Sequence, residues 1–159
     1  SRLIASSFNV HDQLMLWAAF TMAFYGFLRS SEFCSPSKRT FDPNSTLLVQ
    51  DVLLSEQSAS IQIKVSKADP FRNGSTVLLA ASQSSVCPLR ALTKYMAFCT
   101  NPTRPLFCFH SSLSLTRKEV TSILHSLLGS AYPELRRYSS HSFRIGGAAA
   151  EADLPDWFD

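Results

Sequence analysis

The sequence predicts an α+β domain, mostly helical with a small antiparallel β-sheet. Three observations carry that prediction. Leu14 to Leu28 is an apolar run broken only by Thr21 and Gly26, as in a helix buried on every side. Ser60 to Lys67 alternates, with Ile61, Ile63 and Val65 of one parity and Gln62 and Lys64 of the other. A second strand returns at Thr76 to Ala80, after a loop that holds Asp69, Pro70, Asn73 and Gly74.

The 159 residues are enough for one domain with a real core. With 45% hydrophobic and 17% charged residues, a disordered chain is excluded. A net charge of +3 permits a nucleic-acid partner without demanding one. The four cysteines show neither C-x-x-C spacing nor a histidine at zinc-ligand spacing. They read as buried free thiols, and no metal or cofactor is expected. The apolar run falls short of the ~20 residues a membrane span needs. It also lacks the charged start and cleavage site of a secretion signal.

Residues 1–10 read as a lead-in, and residues 11–159 as the domain proper. Asp12 is the expected cap of the buried helix, which should run to about Leu28. Ser35 to Asn44, with Pro36 and Pro43, is a loop. Leu47 to Leu54 reads as a strand. Lys67 has the parity of the apolar face. A strand that reaches it points a cation the same way as the core, which is costly unless it faces a site. A strand that stops at Ser66 leaves Lys67 as an exposed turn residue. Lys67 and Arg72 lie near the tip of the hairpin.

Pro88 suits the first turn of a helix whose stripe is Leu89, Leu92, Met96 and Cys99. The stretch Asn101 to Pro105 is a break, and Leu106 to Phe109 a short apolar segment. Thr116 and Glu119 make a capping box. The helix they open has Val120, Ile123, Leu124, Leu127 and Leu128 on one face and is expected to end at Gly129. A connector with Arg136 and Arg137 follows. Ser139 or Ser140 then caps a helix carrying His141 and Arg144, one turn apart on one face. The small residues after them, Gly146 to Ala150, permit close packing. Pro155 opens a further helix, and the chain stops at Asp159 before a second turn. It begins with Ser rather than Met. The expectation is one domain, cut short at its C-terminus and starting inside a longer protein.

Three polar features stand out. They are Arg29 after the buried helix with Glu32 three residues on, Lys67 on the hairpin, and the His141-x-x-Arg144 pair. Two arginines suit a phosphate, because each planar fork matches two phosphate oxygens and stays charged. This order, with the wording Gly26-Phe27-Leu28-Arg29-Ser30-Ser31-Glu32-Phe33 and His141-Ser142-Phe143-Arg144-Ile145-Gly146, resembles the catalytic domain of tyrosine recombinases, the phage-integrase family. The resemblance covers essentially the whole chain and is greatest to recombinases of eukaryotic mobile elements of the DIRS and Crypton kinds.

The resemblance implies double-stranded DNA as partner and strand breakage and rejoining through a 3′-phosphotyrosine link, without metal. It implies that Arg29 and Arg144 clamp the phosphate and that His141 bonds it or manages the nucleophile's proton. Lys67 protonates the leaving 5′ oxygen, and Glu32 orients the first arginine. Arg72, Arg136 and Arg137 become supporting DNA contacts. A complete enzyme of this kind works as a homo-tetramer on two DNA sites, in the nucleus if the source is eukaryotic and otherwise in the cytoplasm.

The chain departs from the pattern after Arg144. The family continues with a His or Trp and then the nucleophilic Tyr. Trp157 follows too closely, and Tyr25, Tyr95, Tyr132 and Tyr138 all precede the motif. The expectation is therefore a chain that does not cleave DNA by itself. Two other readings stay open: a DNA-binding module without chemistry, with Arg104 in support, and a mobile-element relic with a protein-interaction role. A thiol enzyme on Cys34 or Cys87 with His141 is a remote further option.

Overall fold

The computed structural model describes residues 8–131, apart from Ala68 and Arg72, with the backbone alone for 128–131. Helix α1, Val10–Tyr25, is the centre of the core. Met15, Leu16, Ala18, Ala19, Met22 and Ala23 are fully buried on it, so apolar contact surrounds the helix as its composition predicts. Its cap is Asn9, whose side chain accepts the Asp12 N–H at 2.9 Å. Asp12 lies inside the first turn instead, where a carboxylate still favours the helix dipole.

Helix α1 ends at Tyr25, three residues before the expected Leu28. The cause is a backbone wrap. Leu28 N–H returns to the Ala23 carbonyl at 3.0 Å and Phe27 N–H to Phe24 at 3.4 Å. Phe27 takes the left-handed conformation at φ 52°. This is a Schellman close with phenylalanine where glycine is usual. Gly26, one residue earlier, is needed for another reason: a Cβ there would lie 2.8 Å from the Met22 carbonyl oxygen and 3.3 Å from Val77 Cγ1. The turn leads directly into helix α2, Ser30–Phe33.

The sheet has three antiparallel strands, β1 Val52–Leu54, β2 Ser58–Ile63 and β3 Ser75–Ala80, in the order β1-β2-β3. Val52, Ile61 and Val77 stand in one cross-strand row. Val52, Ala59, Ile61, Ile63 and Leu79 face the core, while Leu53 and Leu78 are exposed. One strand prediction is corrected, and the alternative left open at Lys67 is decided for the exposed turn. Leu47 and Leu48 are buried, but they precede a 3₁₀ turn, Val49–Asp51, so β1 begins only at Val52. The Asp51 carboxylate accepts the Leu48 N–H at 2.8 Å and closes that turn. β2 stops at Ile63, so Lys67 does not share the parity of the core face; it lies exposed in the following turn.

Helix α3, Pro88–Met96, starts on its proline and packs on α1. Leu89 and Leu92 are buried, as is Tyr95, whose hydroxyl donates to the Leu106 carbonyl at 2.8 Å. That bond anchors the short apolar segment, in which Leu106 and Phe107 are buried. Helix α4, Arg117–Ala131, opens on the expected capping box and runs two residues past Gly129. The Thr116 N–H donates to Glu119 Oε2 at 3.0 Å, and the Glu119 N–H to Thr116 Oγ1 at 3.4 Å. Val120 and Leu124 enter the core. No helix among the described residues is long and apolar enough to cross a membrane.

Candidate functional site

The wrap that ends α1 delivers Arg29 to the start of α2. The Glu32 carboxylate accepts the Arg29 backbone N–H at 2.7 Å and caps α2. Its second oxygen lies 3.8 Å from the Arg29 guanidinium, the pairing that the three-residue spacing predicts. The guanidinium also donates to Ser66 Oγ at 3.2 Å, and Ser66 Oγ donates to Glu32 Oε1 at 2.5 Å. Arg29 is therefore not spent on the last carbonyls of α1. It is oriented by a carboxylate and a hydroxyl, with a quarter of its side chain exposed. Glu32 is far more enclosed, so its charge is compensated where it sits.

Ser66 immediately precedes Lys67, so the same contacts bring the lysine loop against α2. The turn is closed from within. Asp69 N–H donates to the Ser66 carbonyl at 3.0 Å, and the Asp69 carboxylate accepts the Gly74 N–H at 2.7 Å. Gly74 has φ 74°, and a Cβ on it would meet the Ile63 carbonyl oxygen at 2.8 Å. Glycine is required there on both counts.

Lys67 lines a groove of about 1120 Å³ between α2, the loop at 34–46 and the first turns of α4. Arg117, Lys118 and His125 of α4 and Lys38 of the loop line it too, among several hydroxyl side chains. Lys38 pairs with Glu119 at 3.1 Å, which ties the loop to the capped end of α4. The groove can hold an extended polyanion: cations from three separate elements line it beside the N-terminal end of α4, whose dipole favours negative charge. Sequence reasoning missed Lys38, Arg117 and Lys118. The available signal was local, since Arg117 and Lys118 follow the capping threonine and precede the buried Val120.

Other basic residues are structural. Lys64 pairs with Asp51 at 2.7 Å and donates to the carbonyls of Pro43 and Thr46. Arg104 donates to the Ser112 carbonyl at 2.7 Å and is not among the groove residues. A smaller cleft of about 320 Å³ is lined by Phe8, Asp12, Phe109 and Glu119, with no cation. Its acidic lining makes it a poor phosphate site.

Cys34 also lines the groove, but burial, with the Glu119 charge second, pushes its thiol up to about 12. It stays protonated at neutral pH and is not a nucleophile. Among the described residues, no group of three or more His, Cys, Asp or Glu side chains is placed to hold a metal. His141, Arg144, Arg136, Arg137 and Arg72 lie outside the described residues. Of the predicted residues, the structure thus brings Arg29, Glu32 and the Lys67 loop together.

No family model and no curated protein matches the sequence. Solved structures do match. XerH site-specific recombinase bound to difH substrate, in a pre-cleavage complex, aligns over 96% of this chain at a TM-score of 0.63 and 16% identity. The same recombinase on palindromic difH substrate, in a post-cleavage complex, aligns over 95% at 0.63 and 17%. This chain has the tyrosine recombinase catalytic-domain fold. It spans about 40% of the length of the recombinase chains that it matches. At such low identity the likeness concerns the fold, and the residues must carry any chemistry themselves.

Proposed function

We propose that this chain is a duplex-DNA-binding domain of the tyrosine recombinase type, and that Arg29 and Lys67 meet the backbone phosphate at which a strand is exchanged. One observation carries this reading. Arg29 is pre-oriented by Glu32 and Ser66 against the loop that bears Lys67, at the margin of a groove lined with further cations. Oriented arginine and lysine charges suit a phosphoryl centre, because fixed donors stabilise the developing charge without reorganising. The matched recombinases are DNA complexes, which supports the same partner here.

In this reading Arg144 completes the clamp with Arg29, His141 bonds the phosphate or manages the nucleophile's proton, and Arg72, Arg136 and Arg137 add backbone contacts. A tyrosine oxygen bonds to phosphorus as the bond to the 5′ oxygen breaks, and Lys67 supplies the proton that oxygen takes up. The nucleophile is not among residues 8–131. Tyr95 is locked in the core by its bonds to Leu106 and Cys108, and Tyr25 is the last residue of α1, ahead of the wrap that delivers Arg29. Tyr132 and Tyr138 precede the His141-x-x-Arg144 motif as Tyr25 and Tyr95 do, so the expected behaviour of this chain is DNA binding without a covalent link. The finer parts of the proposal are a mobile-element origin of the DIRS or Crypton kind, a tetramer for the complete enzyme, and a working compartment that is the nucleus if the source is eukaryotic and otherwise the cytoplasm.

The test is anisotropy of a labelled mixed-sequence duplex titrated with the chain between about 50 and 200 mM salt. The expected result is binding that weakens steeply, with a slope of about −0.9 for each phosphate engaged. Absent or salt-independent binding would remove the DNA reading and leave a protein-interaction fold. A nicked suicide duplex should yield no covalent adduct with this chain; an adduct would place a competent tyrosine within it.

A further inference from the structure

We infer that Ser66 is a positioning residue that couples the arginine to the lysine loop. This rests on the proposed phosphate site and adds a residue to it. Ser66 Oγ touches both partners of the Arg29–Glu32 pair: it accepts from the guanidinium at 3.2 Å and donates to the carboxylate at 2.5 Å. The contacts span 34 and 37 residues of sequence, joining α2 to the end of the segment that leaves β2. Strand pairing does not hold that segment, because β2 ends at Ile63. Past that point, position depends on side chains.

The chemistry of the hydroxyl explains why serine stands there. A hydroxyl both donates and accepts. Here its proton goes to the carboxylate and its lone pair faces the guanidinium, so both charged groups are served by one oxygen. Charge-assisted bonds of this kind are stronger than neutral ones. Lys67 is the next residue, and its backbone is held only one peptide unit from the anchored Cα. Asp69 N–H on the Ser66 carbonyl closes the turn on the other side of the lysine. The lysine is thus bracketed between the anchored Ser66 and Asp69, which bonds back to the same serine. Arginine and lysine are registered to each other before any phosphate arrives, which lowers the ordering cost of binding.

The experiment is native-state hydrogen exchange on the 159-residue chain, with duplex binding measured in parallel on Ser66→Ala and Ser66→Thr. In S66A the amides between Val65 and Phe71 should exchange on the order of tenfold faster while those of β2 and β3 keep their protection, as for local opening after loss of a charge-assisted bond. S66T retains the hydroxyl and should restore protection. Glu32→Gln should loosen the same amides, and adding S66A to it should change little further. Duplex affinity should fall in S66A and recover in S66T. Unchanged exchange in S66A, or S66T behaving like S66A, would overturn the coupling. If exchange responds as expected but neither S66A nor K67A alters duplex binding, the coupling stands and the phosphate reading falls. If K67A weakens binding and S66A does not, the phosphate reading stands and the positioning role falls.

Discussion

At the scale of single residues, Thr46 and Cys34 are buried on the groove wall, each with a definite expected behaviour. The Thr46 hydroxyl is buried and, among the described residues, has no hydrogen-bond partner. An orphaned buried hydroxyl costs about 1–3 kcal/mol, so Thr46→Val, of similar shape, should be neutral or stabilise the fold by about 1 kcal/mol in urea unfolding. A loss of that size would instead mean that the hydroxyl is satisfied. Cys34 is held as a thiol by burial. In the native chain it should react with a thiol reagent at neutral pH only as fast as the protein opens, and denaturant should release it. Spacing showed that Arg29 and Glu32 can pair, and only the family resemblance put them in a site. Sequence reasoning could not settle Lys67, since where β2 stops depends on pairing with β3 and not on parity. Ser66 was invisible for the same reason: its partners lie more than thirty residues away.

At the scale of elements, the wrap that ends α1 decides where Arg29 goes. Gly26→Ala would drive a Cβ to 2.8 Å from the Met22 carbonyl oxygen and against Val77 of β3. It should cost about 1–3 kcal/mol by thermal unfolding and loosen the start of α2. Tolerance without loss would mean that the close approach is not fixed. Local chemistry made other elements legible: the Ile61–Ile63 alternation for β2, Pro88 for α3, and Thr116 with Glu119 for α4. Leu47 and Leu48 misled because they are buried and bridged outside the sheet. Their partner is the Pro105–Leu106 segment, and no local pattern announces a pairing that distant. Lys38, Arg117 and Lys118 were missed likewise, because they meet Lys67 only when three elements pack.

For the whole molecule, buried protonated groups set an alkaline limit. Burial raises the Cys34 thiol to about 12 and also pushes up Tyr95, Cys99 and Cys108. In the unfolded chain a thiol loses its proton near 9.0. The stability these groups give is therefore complete below that pH and is lost as pH rises toward about 12 for Cys34. Urea midpoints should stay level from neutral pH to about 9 and then fall, by roughly 1 kcal/mol per pH unit for a single group. A midpoint unchanged above pH 10 would mean that these groups are not held neutral. The central claim, that Arg29 and Lys67 act together on a DNA phosphate, is tested most directly by the salt dependence of duplex binding in Arg29→Ala and Lys67→Ala, with exposed Lys94→Ala on α3 as the control. Each of the first two should reduce the slope by about 0.9, and Lys94→Ala should leave it unchanged. Equal effects from all three, or none from Arg29 and Lys67, would contradict it.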